Sequence, residues 1–421
     1  MSTITIKNIG PIREVKRLEI KRINLFMGPQ ASGKSTIAKI ISQALWAEKN
    51  YLTMGEEYDF YKGLIAFHNM DKTYFSAPDA EISYESPWCT IHMLYVSGKR
   101  CPQTTYVKKV VKELYHNAKI EYIPAERNFV ASIANIRKYT ENYNSTIGFL
   151  GDWYAAKAKY QRSNYFSVDL PDLAFSYRYK ESEERDILRI ENRVEVELKS
   201  SSSGQQSLLP LLLVANEVMI GTYESQKIFS PAEIAHIRKA SKDMASVVDL
   251  LATVSKKART KELEKQLDAL WGKIGYKGDY GNTHLVIEEP EQNLYPSTQR
   301  GLLKYLVSLL TRDERHKHTL TLTTHSPYIL YALNNCMLAS KVASQKGKEY
   351  LLKKKTTGIA PDEVGLWLMR EGRAISLQDD KHHLLKTDLF NAELQANHNE
   401  MFDLLKLADL SNEEKFEKTA D

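Results

Sequence analysis

The run Gly28-Pro29-Gln30-Ala31-Ser32-Gly33-Lys34-Ser35 follows the apolar, β-leaning stretch Ile23-Asn24-Leu25-Phe26-Met27 and precedes Thr36-Ile37-Ala38-Lys39-Ile40-Ile41. Strand, glycine-bearing turn and helix in that order make a complete P-loop. The glycines let the main chain curl so that its N–H groups face a phosphate chain. The helix N-terminus adds a field that favours negative charge. Gly28, Pro29, Gln30, Ala31, Ser32, Gly33, Lys34, Ser35 and Thr36 are the expected cradle. Lys34 is expected to reach the β- and γ-phosphates of ATP, and the Ser35 hydroxyl to sit on Mg²⁺.

Two further strand ends carry matching chemistry. Leu285-Val286-Ile287-Glu288-Glu289-Pro290 is an apolar strand that ends in two carboxylates. Adjacent residues at a strand end point to opposite sides, so the pair can divide its work. Glu288 is expected on the metal and Glu289 on the attacking water. Thr321-Leu322-Thr323-Thr324-His325-Ser326-Pro327 ends in a histidine. A neutral imidazole there can hydrogen-bond the γ-phosphate or the water and so sense intact ATP. Ser200 to Ser207 is serine-rich, with Gly204, and leads into the apolar run Leu208–Val214. Small hydroxyl residues and a glycine before a helix make a second phosphate-facing nest, although a serine cluster by itself reads equally as a loop.

Composition narrows the class. The 421 residues suffice for a nucleotide-binding domain and a second subdomain, and the net charge of +5 neither demands nor excludes a nucleic-acid face. Cys89, Cys101 and Cys336 are scattered, without metal-ligand spacing, and suggest a reducing, cytoplasmic setting. Residues 1–20 show no secretory signal, and no run of about 18 apolar residues would span a membrane.

Along the chain, Thr3–Ile9 and Val15–Phe26 read as an antiparallel hairpin, turning at Gly10-Pro11, that leads into the P-loop strand. Residues from about 50 to 118 read as mixed helices with a hairpin of Glu81–Glu85 and Thr90–Tyr95. Lys119–Ile123 is a strand ending in Pro124-Ala125-Glu126-Arg127, and the Tyr-, Asn- and Lys-rich stretch to about 180 reads as helices with loops. Leu188–Ile190 with Arg193–Leu198 forms another hairpin. Pro231–Lys273 carries apolar residues at helical spacing. His284–Ile287 and Thr319–Thr323 read as buried parallel strands, and Glu363–Leu377 as a hairpin turning at Glu371-Gly372.

Together these pieces resemble the ABC-type ATPase head shared by SMC, RecF and OLD-like proteins. Ser202-Ser203-Gly204-Gln205-Gln206 resembles the signature motif, with Ser203 in place of a glycine. Glu288-Glu289-Pro290-Glu291 resembles the Walker B motif, with Glu288 in place of Asp, and His325 falls at the switch-histidine position. The implied fold is α/β: a P-loop NTPase head with mixed and antiparallel β-sheets and a helical insertion. The implied divisions are 1–50 with 275–345 as nucleotide-binding core, 51–198 as an inserted β/helical lobe, 199–274 as signature loop and helical insertion, and 346–421 as C-terminal hairpin and helix. The resemblance also implies a head-to-tail ATP-sandwich dimer or larger homo-oligomer, with Ser202, Ser203, Gly204 and Gln205 completing the partner's site.

Between Ser35 and Ser202 there is no room for long coiled-coil arms, and no Asp-x-Asp follows His325 to mark an OLD-type nuclease. Gly-Pro-Gln-x-Ser-Gly-Lys-Ser, the Pro-Ala-Glu-Arg strand end and Trp46-Ala47-Glu48-Lys49 resemble the compact AAA_15/AAA_21 ATPases of bacterial antiphage systems, such as PARIS, Septu and retron-associated subunits. That resemblance implies a switch, sensor or scaffold with a separate effector, a toxin or nuclease encoded nearby. The alternative is a RecF-like DNA-binding repair ATPase. For it, Arg127, Arg137, Lys138, Lys157, Lys159 and Arg162, interleaved with Tyr139, Tyr143, Tyr154 and Tyr160, would supply the nucleic-acid surface.

Overall fold

Period-two burial in the first strands sets the architecture. In the computed structural model, residues 1–95, 99, 101–111, 115–132, 143–191, 193–224, 280–347, 349, 357–386 and 399–401 are described. Pro231–Lys273 and most of the C-terminal region beyond 386 lie outside the described residues.

Strands β1 (Ser2–Ile9), β2 (Ile12–Ile20) and β3 (Ile23–Met27) precede helices α1 (Lys34–Met54) and α2 (Phe60–Ala66). Next come β4 (Glu81–Glu85), β5 (Cys89–Leu94), β6 (Gln103–Lys108), β7 (Ala118–Ile123), the one-turn α3 (Phe129–Ser132) and α4 (Ser145–Lys157). Strands β8 (Phe166–Leu170), β9 (Leu173–Lys180), β10 (Arg185–Ile190) and β11 (Val194–Glu197) lead to α5 (Ser203–Asn216) and a short α6 (Thr222–Glu224). The remainder is β12 (Asn282–Glu288), α7 (Pro296–Thr311), β13 (Thr319–Thr324), α8 (Pro327–Lys346), β14 (Val364–Arg370) and β15 (Arg373–Ser376).

Among the described residues, eleven strands join one mixed sheet in the order β6-β5-β4-β1-β2-β15-β14-β3-β13-β12-β7, and β11-β10-β9-β8 form a second, antiparallel sheet. The large sheet has an antiparallel wing, β6 to β2, and a parallel block, β14-β3-β13-β12-β7. It crosses the division expected at 50/51, because β4–β6 extend one edge and β7 closes the other. It also takes in β14 and β15 from the C-terminal region.

β3 pairs in parallel with β13 and β14, which places Leu25 opposite Leu322 and Leu366. Its side chains alternate between two cores. Ile23, Leu25 and Met27 join the larger cluster with α4, α5, α7 and α8, whereas Phe26 joins α1, β1, β2, β4 and β5 on the other. A strand buried on both faces reads as a near-continuous apolar run, as β3 does. Asn24, the polar exception, satisfies itself by accepting from the Lys21 N–H at 2.9 Å and donating to the Lys21 carbonyl at 2.8 Å.

Three expectations need correction. The expected strand Val15–Phe26 is broken at Lys21-Arg22, so β2 and β3 are separate strands with β15 and β14 between them. The stretch to 180 holds strands β8 and β9 besides helix α4. Phe166, Val168, Leu170, Phe175, Tyr177 and Tyr179 alternate inward there, and charged and hydroxyl residues between them conceal the period. β6 was also missed, because its burial is slight on both faces.

Candidate active site

The carboxyl ends of β3, β12, β13 and β7 lie side by side, which is where open α/β sheets bind ligands. β3 delivers the P-loop. Gly28 has φ 154°, and a β-carbon there would lie 2.4 Å from the Met369 carbonyl oxygen, so only glycine lets the loop pass the end of β14. Pro29, Gln30 and Ala31 form the exposed crest, while Gly33, Lys34 and Thr36 are buried at the start of α1. The Lys34 ammonium donates to the carbonyls of Gly28 at 3.0 Å and Pro29 at 2.7 Å. Burial lowers its pKa, and the carboxylate of Glu289 pulls the other way.

β12 ends at Glu288. The Ser35 hydroxyl donates to Glu288 Oε2 at 3.0 Å, and the buried Tyr122 phenol of β7 donates to Oε1. Burial, reinforced by Glu288, pushes the Tyr122 pKa well up, so the phenol keeps its proton. Glu289 stands one residue past the strand at φ 43°, a left-handed conformation unfavourable for a side-chain-bearing residue. That turn separates the two carboxylates. Glu289 Oε1 lies 3.4 Å from His325 Nε2, and Oε2 accepts from Gln292 Nε2 at 3.0 Å. Glu291 holds the histidine's backbone, its Oε1 accepting from the His325 N–H and from the Thr324 hydroxyl, both at 2.7 Å.

The structure thus brings Lys34, Ser35, Glu288, Glu289 and His325 to one place. Ser202, Ser203, Gly204 and Gln205 sit apart, at the N-terminus of α5. Ser202 caps that helix, its hydroxyl accepting from the Gln205 N–H at 3.3 Å while Gln205 Oε1 accepts from the Ser202 N–H at 3.1 Å. Ser202 and Ser203 are exposed. Gly204 presses on the loop after β12, where a β-carbon would meet the Asn293 carbonyl oxygen at 2.8 Å.

The basic–aromatic surface expected for nucleic acid does not form as expected. Arg127 is fully buried, Lys157 is buried against Asp186 at 3.1 Å, and Lys159 pairs with Glu217 at 2.7 Å. Acidic partners hold the two lysines, whereas main-chain carbonyls take up the Arg127 guanidinium. Arg162 is exposed, whereas Arg137, Lys138 and Tyr139 lie outside the described residues. Sequence reasoning did not find Tyr122 or Gln292, since neither lies in a motif that marks a carboxylate partner.

An oxygen-only pair, the Ser35 hydroxyl beside the Glu288 carboxylate, suits Mg²⁺. Ser32 Oγ is buried beside Gly28 with no hydrogen-bond partner among the described residues, a polar atom that a phosphate oxygen would satisfy. The residues present fit the ligand set. Among the described residues, no group of three or more His, Cys, Asp or Glu side chains could hold a metal, and no helix is long and apolar enough to cross a membrane.

Residues 3–275 match the AAA_23 family, an AAA domain. The chain belongs to that family. Three solved structures are similar to it at low identity. The SMC head domain from Thermotoga maritima is 13% identical, with 78% of this chain and 90% of that one covered, at a TM-score of 0.34. The recombination mediator protein RecF is 11% identical, with coverages of 89% and 97% and a TM-score of 0.33. The Smc head domain with an extended coiled coil from Pyrococcus furiosus, bound to the C-terminal domain of ScpA, is 9% identical, with coverages of 90% and 97% and a TM-score of 0.36. No curated protein matches the chain.

Proposed function

We propose that this AAA-domain chain is an ABC/SMC-like head that binds and hydrolyses ATP with Mg²⁺ and acts as a nucleotide-driven switch. The observation that carries the reading is the convergence of Ser35 with Glu288 and of Glu289 with His325 at the end of a P-loop strand. Lys34 exchanges two loop carbonyls for the β- and γ-phosphate oxygens, a gain because charge-assisted bonds to anions are stronger. Ser35 and Glu288 would hold Mg²⁺, which when bound would supply positive charge against the triphosphate. Glu289 takes a proton from water as the water oxygen bonds to the γ-phosphorus and the bond to the β-phosphate oxygen breaks. His325, fixed through its backbone by Glu291, hydrogen-bonds the γ-phosphate or that water.

The exposed cap of α5 supports the second part of the reading. Ser202 and Ser203 face outward, so in this proposal they complete the ATP site of a second copy in a head-to-tail dimer or larger assembly. The antiphage resemblance adds a separate toxin or nuclease effector that the ATP-bound assembly holds or releases.

Size and mass of the Glu289→Gln protein, with and without Mg-ATP, test the proposal. ATP-dependent dimers or larger assemblies, with turnover abolished, are expected. Normal hydrolysis by that variant would overturn the assignment. Assembly that requires DNA and weakens steeply with salt would move the chain to the DNA-binding reading.

A further inference from the structure

Arg127 was expected on a surface and is instead the most completely enclosed cation of the site, with no exposed area. Its guanidinium donates to four main-chain carbonyls and to no carboxylate. NH1 reaches Glu288 O at 2.8 Å and Pro124 O at 3.3 Å, NH2 reaches Glu289 O at 2.8 Å, and Nε reaches Ser207 O at 3.1 Å. Burial lowers its pKa to about 10, so it remains charged at neutral pH.

Those four acceptors belong to three separate elements. Pro124 ends β7. Glu288 and Glu289 are the consecutive residues at which β12 turns into its left-handed step. Ser207 lies in the second turn of α5, the helix that begins with the signature residues. Pro210 loosens this helix locally, because it lacks the N–H that would bond the Gln206 carbonyl.

The carboxylates of Glu291, Glu289, Glu126 and Glu288 offset part of the cost of burying this charge, yet none bonds it directly, and an apolar side chain would fill the space more cheaply. What the planar fork offers is fixed geometry, since its donors diverge at set angles and tolerate little relative movement of the groups they hold. We propose that Arg127 is a positioning residue that ties the signature helix to the catalytic carboxylates, so that a displacement of α5 moves Glu288 and Glu289. The role rests on the proposed function above. It deepens that function by giving the route through which a partner's nucleotide, held at Ser202–Gln205, is felt at this chain's own site. The Gly204 contact with Asn293 gives α5 a second hold on the same loop.

Arg127→Lys keeps the charge but offers a point donor that cannot span the carbonyls. ATP affinity is expected within about threefold of the parent, and Glu289→Gln/Arg127→Lys should still assemble with Mg-ATP. Turnover per chain should fall about 100-fold, the scale of a small misplacement of catalytic groups, and should no longer rise with protein concentration. Turnover that still climbs with concentration as in the parent, or that falls only with the folded fraction, would leave Arg127 a packing staple and overturn the proposal.

Native-state hydrogen exchange on the unaltered chain judges the tie without nucleotide, even where the variant does not fold. The amides of 205–208 and of 288–289 should open together across a denaturant series, and separate opening would break the tie. A parent chain with no ATP turnover or no Mg-ATP assembly would instead bring down the proposed function, whatever the exchange result.

Discussion

The P-loop and the proposed signature loop are built from similar parts, small and hydroxyl residues around a glycine at a helix N-terminus, and they end in opposite conditions. At the P-loop the partners lie within the chain: Lys34 on two carbonyls, Ser35 on Glu288, and Glu289 beside His325. At the signature loop Ser202 is bonded to Gln205 in its own helix and the exposed serines face outward. One half is assembled before any ligand arrives, and the other is presented. In the proposed function, this is the difference between a site that binds and a site that waits for a second copy.

Lys34→Ala should break the first half most severely. ATP affinity is expected to fall about 100-fold or more in nucleotide titration, because the charge-assisted contacts go with the side chain. The signature helix should keep its thermal stability.

Acid tests whether the two halves share one scaffold. His284 and His318 flank the amino ends of β12 and β13, remote from both loops along the strands. Burial lowers each to about 4, and the Thr283 N–H donates to His318 Nδ1 at 3.1 Å, a bond that protonation removes. The unfolded chain takes up these protons near pH 6.5, before the folded one does. Stability present above that pH should therefore decline as pH falls toward about 4, by about 3 kcal/mol per histidine. Denaturant midpoints across that window should show it, with ATP binding and assembly lost in parallel.

Gly204→Ala aims at the contact between the halves. Its β-carbon crowds the Asn293 carbonyl, and overpacking of this kind costs about 1–3 kcal/mol. Assembly, followed by size and mass, should weaken while ATP affinity of the single chain is retained. Ser202→Ala, the mildest change, removes the helix cap and should lower stability by about 1 kcal/mol in denaturant titration.

Much of this was legible in the sequence. The P-loop, the strand of Glu288 and the strand of His325 carry their signals in consecutive residues, and each of those strands appears where expected. The hairpins at 81–94 and 364–376 were legible for the same reason. Less legible were features that depend on distant partners. Arg127 and Lys157 look like surface residues until Glu289, Ser207 and Asp186 are folded around them. Strand β9 was obscured because two of its inward residues are tyrosines, interleaved with serine and arginine. Tyr122 sits opposite Val286 only after β7 and β12 align in parallel, a register that local pattern does not supply.

The neighbours of β3 bear on how the chain is made. Its two flanking strands, β13 and β14, lie far downstream of it, and Arg22 just before it pairs with Glu363, 341 residues away. A growing chain emerging from a ribosome therefore displays its nucleotide loop long before the strands that brace it exist. Contacts of such wide separation form slowly, and an apolar strand left open meanwhile invites mispairing. The phosphate loop precedes its bracing strands by about 300 residues and becomes a rigid cradle only after β13 and β14 have been translated.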